Sequence, residues 1–400
     1  LTQHEGIERV AIVAEATRYE AVVGGVVHGA EQDPVEPQQP ALFVELVLVL
    51  APHRNLDDHR ENVLQLILID IDVVPRMHQP QLPHPQNLSQ VHFHETFGPN
   101  DRQLAMTLPR QVLPNTTYLV TRRCIGRRFL LRPDDRVNNL FAYCLARAVK
   151  KYGMKLHAAC AMSNHYHLVL TDPEGVLPDF AAWLNRQLAM CVKRLRKWDE
   201  VVWEPNVPFS GVELTGGAEV LDKVAYVSLN PVTAGLVRDP ESWPGFLATV
   251  KMLRGRAFQA MRPSVWFNRE APVNATLELT TPPCFADDDL YFEALEALIA
   301  KRPDQVRDQL RRQRRQFLGR RAVRRTSPLT RPSTKKERFG RSPTFSALTR
   351  RRWLAALQQL RGFRKAYRAA YDVWRKGKRD VEFPPGTWWL ARRAGAVVAA

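Results

Sequence analysis

Four hundred residues, 45% of them apolar, give enough chain for a sizeable core and for two or three domains. The formal net charge of +17 points to a polyanionic partner, most simply nucleic acid. No apolar run reaches the roughly 18 residues a membrane span needs, no basic segment marks a signal peptide, and Cys124, Cys144, Cys160, Cys191 and Cys284 form no Cys-x-x-Cys pair. The thiols read as scattered, reduced and mostly buried, so the expectation is a soluble, cytoplasmic protein with no membrane partner.

The charge is uneven. Residues 1–105 carry 6 Lys+Arg against 15 Asp+Glu, whereas residues 301–400 carry 29 against 6. The first stretch holds 8 of the 11 histidines and no lysine, in Gln-Pro and His-Pro combinations. It is expected to be either an upstream extension produced by the assigned start or a poorly ordered N-terminal region. Its histidines read as compositional bias, not as metal ligands.

A domain is expected over residues 106–275. Thr116–Arg122 is β-branched and aromatic and reads as a strand. Asp134-Asp135 starts a helix whose apolar residues Leu140, Cys144, Leu145 and Ala148 recur at helical spacing, and Gly153 ends it. Met154–Met162 and Tyr166–Thr171 read as two further strands joined tightly at Ser163-Asn164. A second helix, about 177–197, buries Phe180, Leu184, Leu188, Cys191 and Leu195 and shows Arg186, Lys193, Arg194, Arg196 and Lys197 on its other face. A third, about 218–229, stops at Asn230-Pro231. This order predicts an α+β fold with a ferredoxin-like split β-α-β core and an antiparallel sheet.

Residues 276–400 form a basic helical region. Thr280-Thr281-Pro282-Pro283 reads as a linker, Asp287-Asp288-Asp289 caps a helix to about Ala300, and Pro303-Asp304 starts another. The arginines that follow, Arg311, Arg312, Arg314 and Arg315 among them, suit bidentate phosphate contacts. Ser327–Ser342 reads as a flexible basic link, Phe345–Lys376 as a last helix, and the closing aromatics Phe383, Trp388 and Trp389 as packing against the domain in preference to stacking on bases.

The candidate site lies in Ser163-Asn164-His165-Tyr166-His167-Leu168-Val169-Leu170. In a strand, His165 and His167 share one face and Tyr166 takes the other. Two imidazoles on one face form half of a divalent-metal site. Burying them without a ligand or partner is costly.

Met162–Leu170 resembles the hallmark of the REP-associated tyrosine transposases, insertion-sequence-200-like members of the single-tyrosine HUH nucleases. Three further pieces match in order: Thr121-Arg122-Arg123 with Arg127-Arg128-Phe129; Tyr226–Val237, which fits Tyr-x-x-x-Asn-Pro-x-x-Ala-Gly-Leu; and Trp243-Pro244. The resemblance covers about 107–250. It implies metal-dependent cleavage and rejoining of single-stranded or hairpin DNA in transposition. His165, His167 and a polar residue of the second helix would hold Mg²⁺ or Mn²⁺, and a tyrosine on that helix would form a 5′-phosphotyrosine. Arg122, Arg123, Arg127, Arg128 and Lys193 would join the C-terminal arginines in binding DNA. A nucleoid-associated location and a homodimer sharing sites in trans would follow.

The second helix departs from the pattern. Aligned from Leu184, the tyrosine position is Leu188 and the asparagine position is Lys193, and no tyrosine occurs between Tyr166 and Tyr226. Tyr226 itself reads as helix packing, and Tyr367 and Tyr371 as part of an apolar stripe. The alternative is therefore a catalytically inactive, domesticated DNA-binding protein; an RNA-binding protein is a third reading.

Overall fold

The computed structural model describes residues 47–48, 66–67 and 109–399, apart from 206–208, 249–251, 253, 256 and 334–342. The chain divides into two units, 1–84 and 85–400. In the first, only the antiparallel pair β1 (Val47–Leu48) and β2 (Leu66–Ile67) is described. The expectations for residues 1–105, and for the 334–342 part of the basic link, lie outside the described residues.

The second unit is mixed α+β around a mainly antiparallel sheet. Strand β3 (Thr116–Arg123) leads through a 3-10 turn at Ile125–Arg127 to helix α1 (Asp135–Tyr152). The Asp134 carboxylate accepts from Val137 N at 2.9 Å, an N-cap worth about 1 kcal/mol, and Gly153 at φ 63° closes the helix in the left-handed region. Strands β4 (Lys155–Ala161) and β5 (His165–Asp172) pair antiparallel. Buried Asp172 accepts from Leu177 N at 2.7 Å and so starts α2 (Leu177–Arg196), whose own N-cap residue Val176 offers no side-chain bond. Then follow β6 (Ser210–Leu214) and α3 (Gly217–Thr233).

The sheet order is β4-β5-β3-β6 and then a fifth strand, with β3 bonded antiparallel to both β5 and β6. The fifth strand, β9 (Phe345–Ser346), pairs in parallel with β6, so the chain beyond residue 275 contributes to the same sheet. A two-stranded ribbon, β7 (Phe258–Met261) with β8 (Asn274–Leu277), packs on α1. The basic region supplies α4 (Asp288–Arg312), α5 (Arg320–Arg325), α6 (Arg350–Arg375) and α7 (Trp389–Ala394).

Period-2 alternation gives the sheet two different faces. Tyr118, Val120, Tyr166, Leu168 and Leu170 join the core formed with α1 and α2, including Phe141, Phe180, Leu184 and Leu188. Ala158, Cys160 and Val169 join a second core with Val220, Val224 and Val227 of α3 and Tyr291, Phe292 and Leu295 of α4. Helix α3 therefore covers the face opposite α1 and α2.

Four boundaries differ from those expected. The last helix begins at Arg350, not Phe345, because Phe345–Ser346 pairs with β6. Helix α3 runs through Pro231, which sits in its last turn, where Leu236 N still bonds Pro231 O at 3.0 Å and Val232 is buried. Helix α4 runs through Pro303 because apolar contacts hold it on both sides, Leu295 and Leu298 before, Val306 and Leu310 after. Thr280, read as linker, is pinned to β4 through Thr280 N to Leu156 O at 2.8 Å.

Candidate metal and strand-transfer site

His165 and His167 open β5, directly after the turn at Ser163-Asn164. That turn is held by the arginine-rich loop: Cys124 N donates to Asn164 O at 2.8 Å, Leu131 N to Ser163 O at 3.0 Å, and Asn164 Nδ2 to Arg127 O at 3.2 Å. Asn164 Oδ1 lies 2.7 Å from His165 Nδ1 and accepts its proton. Thr121 Oγ1, on the paired strand, lies 2.7 Å from His167 Nδ1. Each ring thus has Nδ1 engaged by an oxygen, which directs Nε2 toward any further partner, the arrangement that orients metal-ligating imidazoles.

The two rings meet edge-on with centroids 4.7 Å apart. Burial and the neighbouring Arg123 guanidinium push the His165 pKa down to about 3. Burial, His165 and Arg123 hold His167 well below its ordinary value. Both rings are therefore neutral near pH 7, the state a metal ligand requires.

Helix α2 does not meet this pair. Tyr166 Oη donates to Asn185 Oδ1 of α2 at 2.9 Å, and Leu188 lies fully buried in the same core. The expected convergence of the histidines with the Leu188 and Lys193 positions is corrected: α2 is on the other side of the sheet. The side chain that does face the histidines is Tyr226 of α3, whose ring lies 5.4 Å from that of His167. Asn230, one turn further on, shares that helix face and is buried. By helical spacing alone, Tyr226 reads as packing. The signal that identifies it is the uncovered second face of β5, which only a later helix can close.

The arginines divide between the faces. Arg123 lies opposite His165 in the strand register, whereas Arg122 reaches over Trp203 at 5.9 Å, beside Tyr166. Arg128 packs over Trp198 at 5.1 Å and donates to Leu329 O at 2.8 Å. Arg311, Arg312, Arg314 and Arg315 are exposed at and just beyond the end of α4. Among the described residues no group of three or more His, Cys, Asp or Glu could hold a metal. Among the described residues no helix is long and apolar enough to cross a membrane.

No family model and no curated sequence matches the chain. Its structural neighbours include a REP-associated tyrosine transposase bound to a REP hairpin, at 15% identity over 44% of this chain and 99% of that one, with a TM-score of 0.32. A protein from Deinococcus radiodurans assigned as a transposase follows at 22% identity, 27% and 85% coverage and a TM-score of 0.22. The tRNA(His) guanylyltransferase of Saccharomyces cerevisiae follows at 10% identity, 32% and 64% coverage and 0.26. Scores this low do not establish a shared fold.

Proposed function

We propose that the chain is a transposase-like enzyme that cuts and rejoins single-stranded or hairpin DNA, on a ferredoxin-like core, with His165 and His167 as metal ligands and Tyr226 as the nucleophile. The observation that carries this reading is the approach of the Tyr226 ring to His167 beside the neutral histidine pair.

The donor set fits a divalent cation. Imidazole nitrogens suit Mn²⁺ better than the oxygen-loving Mg²⁺, with the Asn230 amide as the candidate third ligand. A cation held there supplies Lewis-acid polarisation of a phosphate oxygen. Thr121 and Asn164 keep both imidazoles aimed, and Arg123 adds positive charge beside them. The Tyr226 oxygen attacks phosphorus, the bond to the 3′-oxygen breaks, and the phenolic proton is given up as the 3′-hydroxyl gains one. The resulting phosphotyrosine conserves the phosphodiester for rejoining.

Leu188 at the motif's tyrosine position favours an inactive protein; Tyr226 beside the histidines supports an active one. The test uses the full chain, Mn²⁺ and labelled hairpins with randomised single-stranded flanks. A covalent adduct stable to denaturation is expected, mapping to the Tyr226 peptide. Tyr226→Phe should abolish it, and His165→Ala with His167→Ala should abolish both the adduct and Mn²⁺ binding. An adduct that survives Tyr226→Phe would exclude this nucleophile. DNA binding without any adduct would favour the non-catalytic reading.

A further inference from the structure

We propose that the arginine-lined cleft on α5 is a docking site for the phosphate backbone of duplex DNA, the stem of a hairpin whose single-stranded flank reaches His165 and His167. The inference rests on the reading of that site as a DNA site, and adds a second surface with its own ligand geometry.

Helix α5 is fixed in place. Val323 is buried in the core shared with α3 and α4. Leu318 N and Gly319 N donate to Gly235 O and Leu236 O, just past the end of α3, at 3.0 and 2.8 Å. Arg324 pairs with Asp135 at 3.2 Å, and its carbonyl accepts from Arg132 at 2.7 Å. One of its four arginines therefore serves the fold. The other three, Arg320, Arg321 and Arg325, are exposed, form no ion pair among the described residues, and line an open cleft of about 790 Å³ with Leu318 and Thr326.

A run of arginines on a mobile tail is a solvated face. Three arginines on an anchored element keep their positive charge in one place, and each guanidinium can hold a phosphate bidentately. The cleft has no aromatic lining. Single-strand binding draws on base stacking against aromatic rings, so this wall suits a backbone gripped from outside, with bases paired inward. Its position relates it to the histidines. The chain leaving α5 lies along the arginine-rich loop, with Arg128 bonded to Leu329 O and Phe129 N bonded to Thr330 O, and that loop holds Asn164 beside His165.

The test measures equilibrium binding of the full chain to a DNA hairpin with a single-stranded flank, to the flank alone, and to the matching RNA hairpin, across a salt series. Arg320→Ala, Arg321→Ala and Arg325→Ala are combined, with a Lys triple variant as the charge-keeping control. The Ala triple should weaken hairpin binding about tenfold or more and make the salt slope shallower by about 2.7, at roughly 0.9 per lost phosphate contact. Flank binding should change less than about twofold, and the Lys triple should keep most of the slope. An unchanged slope, an equal loss on both DNA ligands, a Lys triple as weak as the Ala triple, or tighter binding to RNA would each overturn the proposal. Adduct formation on flank DNA is scored separately: its absence in the wild type refutes the strand-transfer reading and leaves the docking result to stand.

Discussion

Tyr166 and His167 are neighbours in β5 and meet entirely different surroundings. Tyr166 enters an apolar core with α1 and α2 and spends its hydroxyl on Asn185. His167 turns to the other face, where β3 supplies Thr121 and α3 supplies Tyr226. The same face carries Thr171, which bonds Thr117 at 2.7 Å and the buried His157 at 2.8 Å. One face is apolar core throughout; the other combines a second apolar core with a polar cluster of histidines, threonines and Tyr226. A helix matched to the motif by spacing alone can thus belong to the wrong face.

The sharpest way to break this contrast is to exchange the two positions that spacing had confused. Leu188→Ala should cost about 2 to 5 kcal/mol of stability, read by denaturant unfolding, because it empties a fully buried site. It should leave Mn²⁺ affinity and adduct yield per folded molecule unchanged. A loss of metal binding there would mean that α2 does serve the histidines.

Acid tests the polar face as a whole. Burial pushes the His157 pKa down to about 4, while the unfolded chain has the ordinary value near 6.5. The neutral ring is favoured in the fold, so its stabilising effect is complete above about pH 6.5 and is lost as pH falls toward 4, by about 3 kcal/mol. His157→Gln should flatten that part of the pH–stability curve. An equally steep curve in the variant would assign the acid sensitivity elsewhere.

The smallest effect expected is at Thr121. Thr121→Val removes the oxygen at His167 Nδ1 and keeps the side-chain shape. Mn²⁺ affinity should fall about 10- to 100-fold with little change in stability. An unchanged affinity would show that His167 is aimed by packing alone.

Much of the core was legible. The β-branched run at Thr116, the spacing of Leu140, Cys144, Leu145 and Ala148, and the stripe from Phe180 to Leu195 each define an element through local periodicity. The histidine pair was legible for the same reason. What periodicity does not encode is the side of the sheet on which a connection returns, and that sets which of Leu188 and Tyr226 faces the histidines. By local rules proline marks a helix boundary, a stop at Pro231 and a start at Pro303, yet both lie inside helices held by tertiary contacts. Strand β9 has two residues and no pattern to read.

That short strand has a consequence for behaviour in solution. An open sheet offers unpaired amides and carbonyls at both margins, which invite another chain to add on. Here Glu213 and Leu214 of β6 are engaged by β9, with Glu213 N bonded to Thr344 O at 2.9 Å. At the opposite margin, Ala161 N bonds Phe246 O and Ala248 N bonds Ala159 O, both at 2.8 Å, so residues 246–248 occupy β4. Gly245 permits that close approach, since a Cβ there would lie 2.9 Å from Ala161 O. The two guards are unequal in origin: one follows directly from the motif-bearing segment, the other is lent by the distant basic region. A chain shortened before residue 344 would keep its histidines and lose a guard, and its first defect would be self-association.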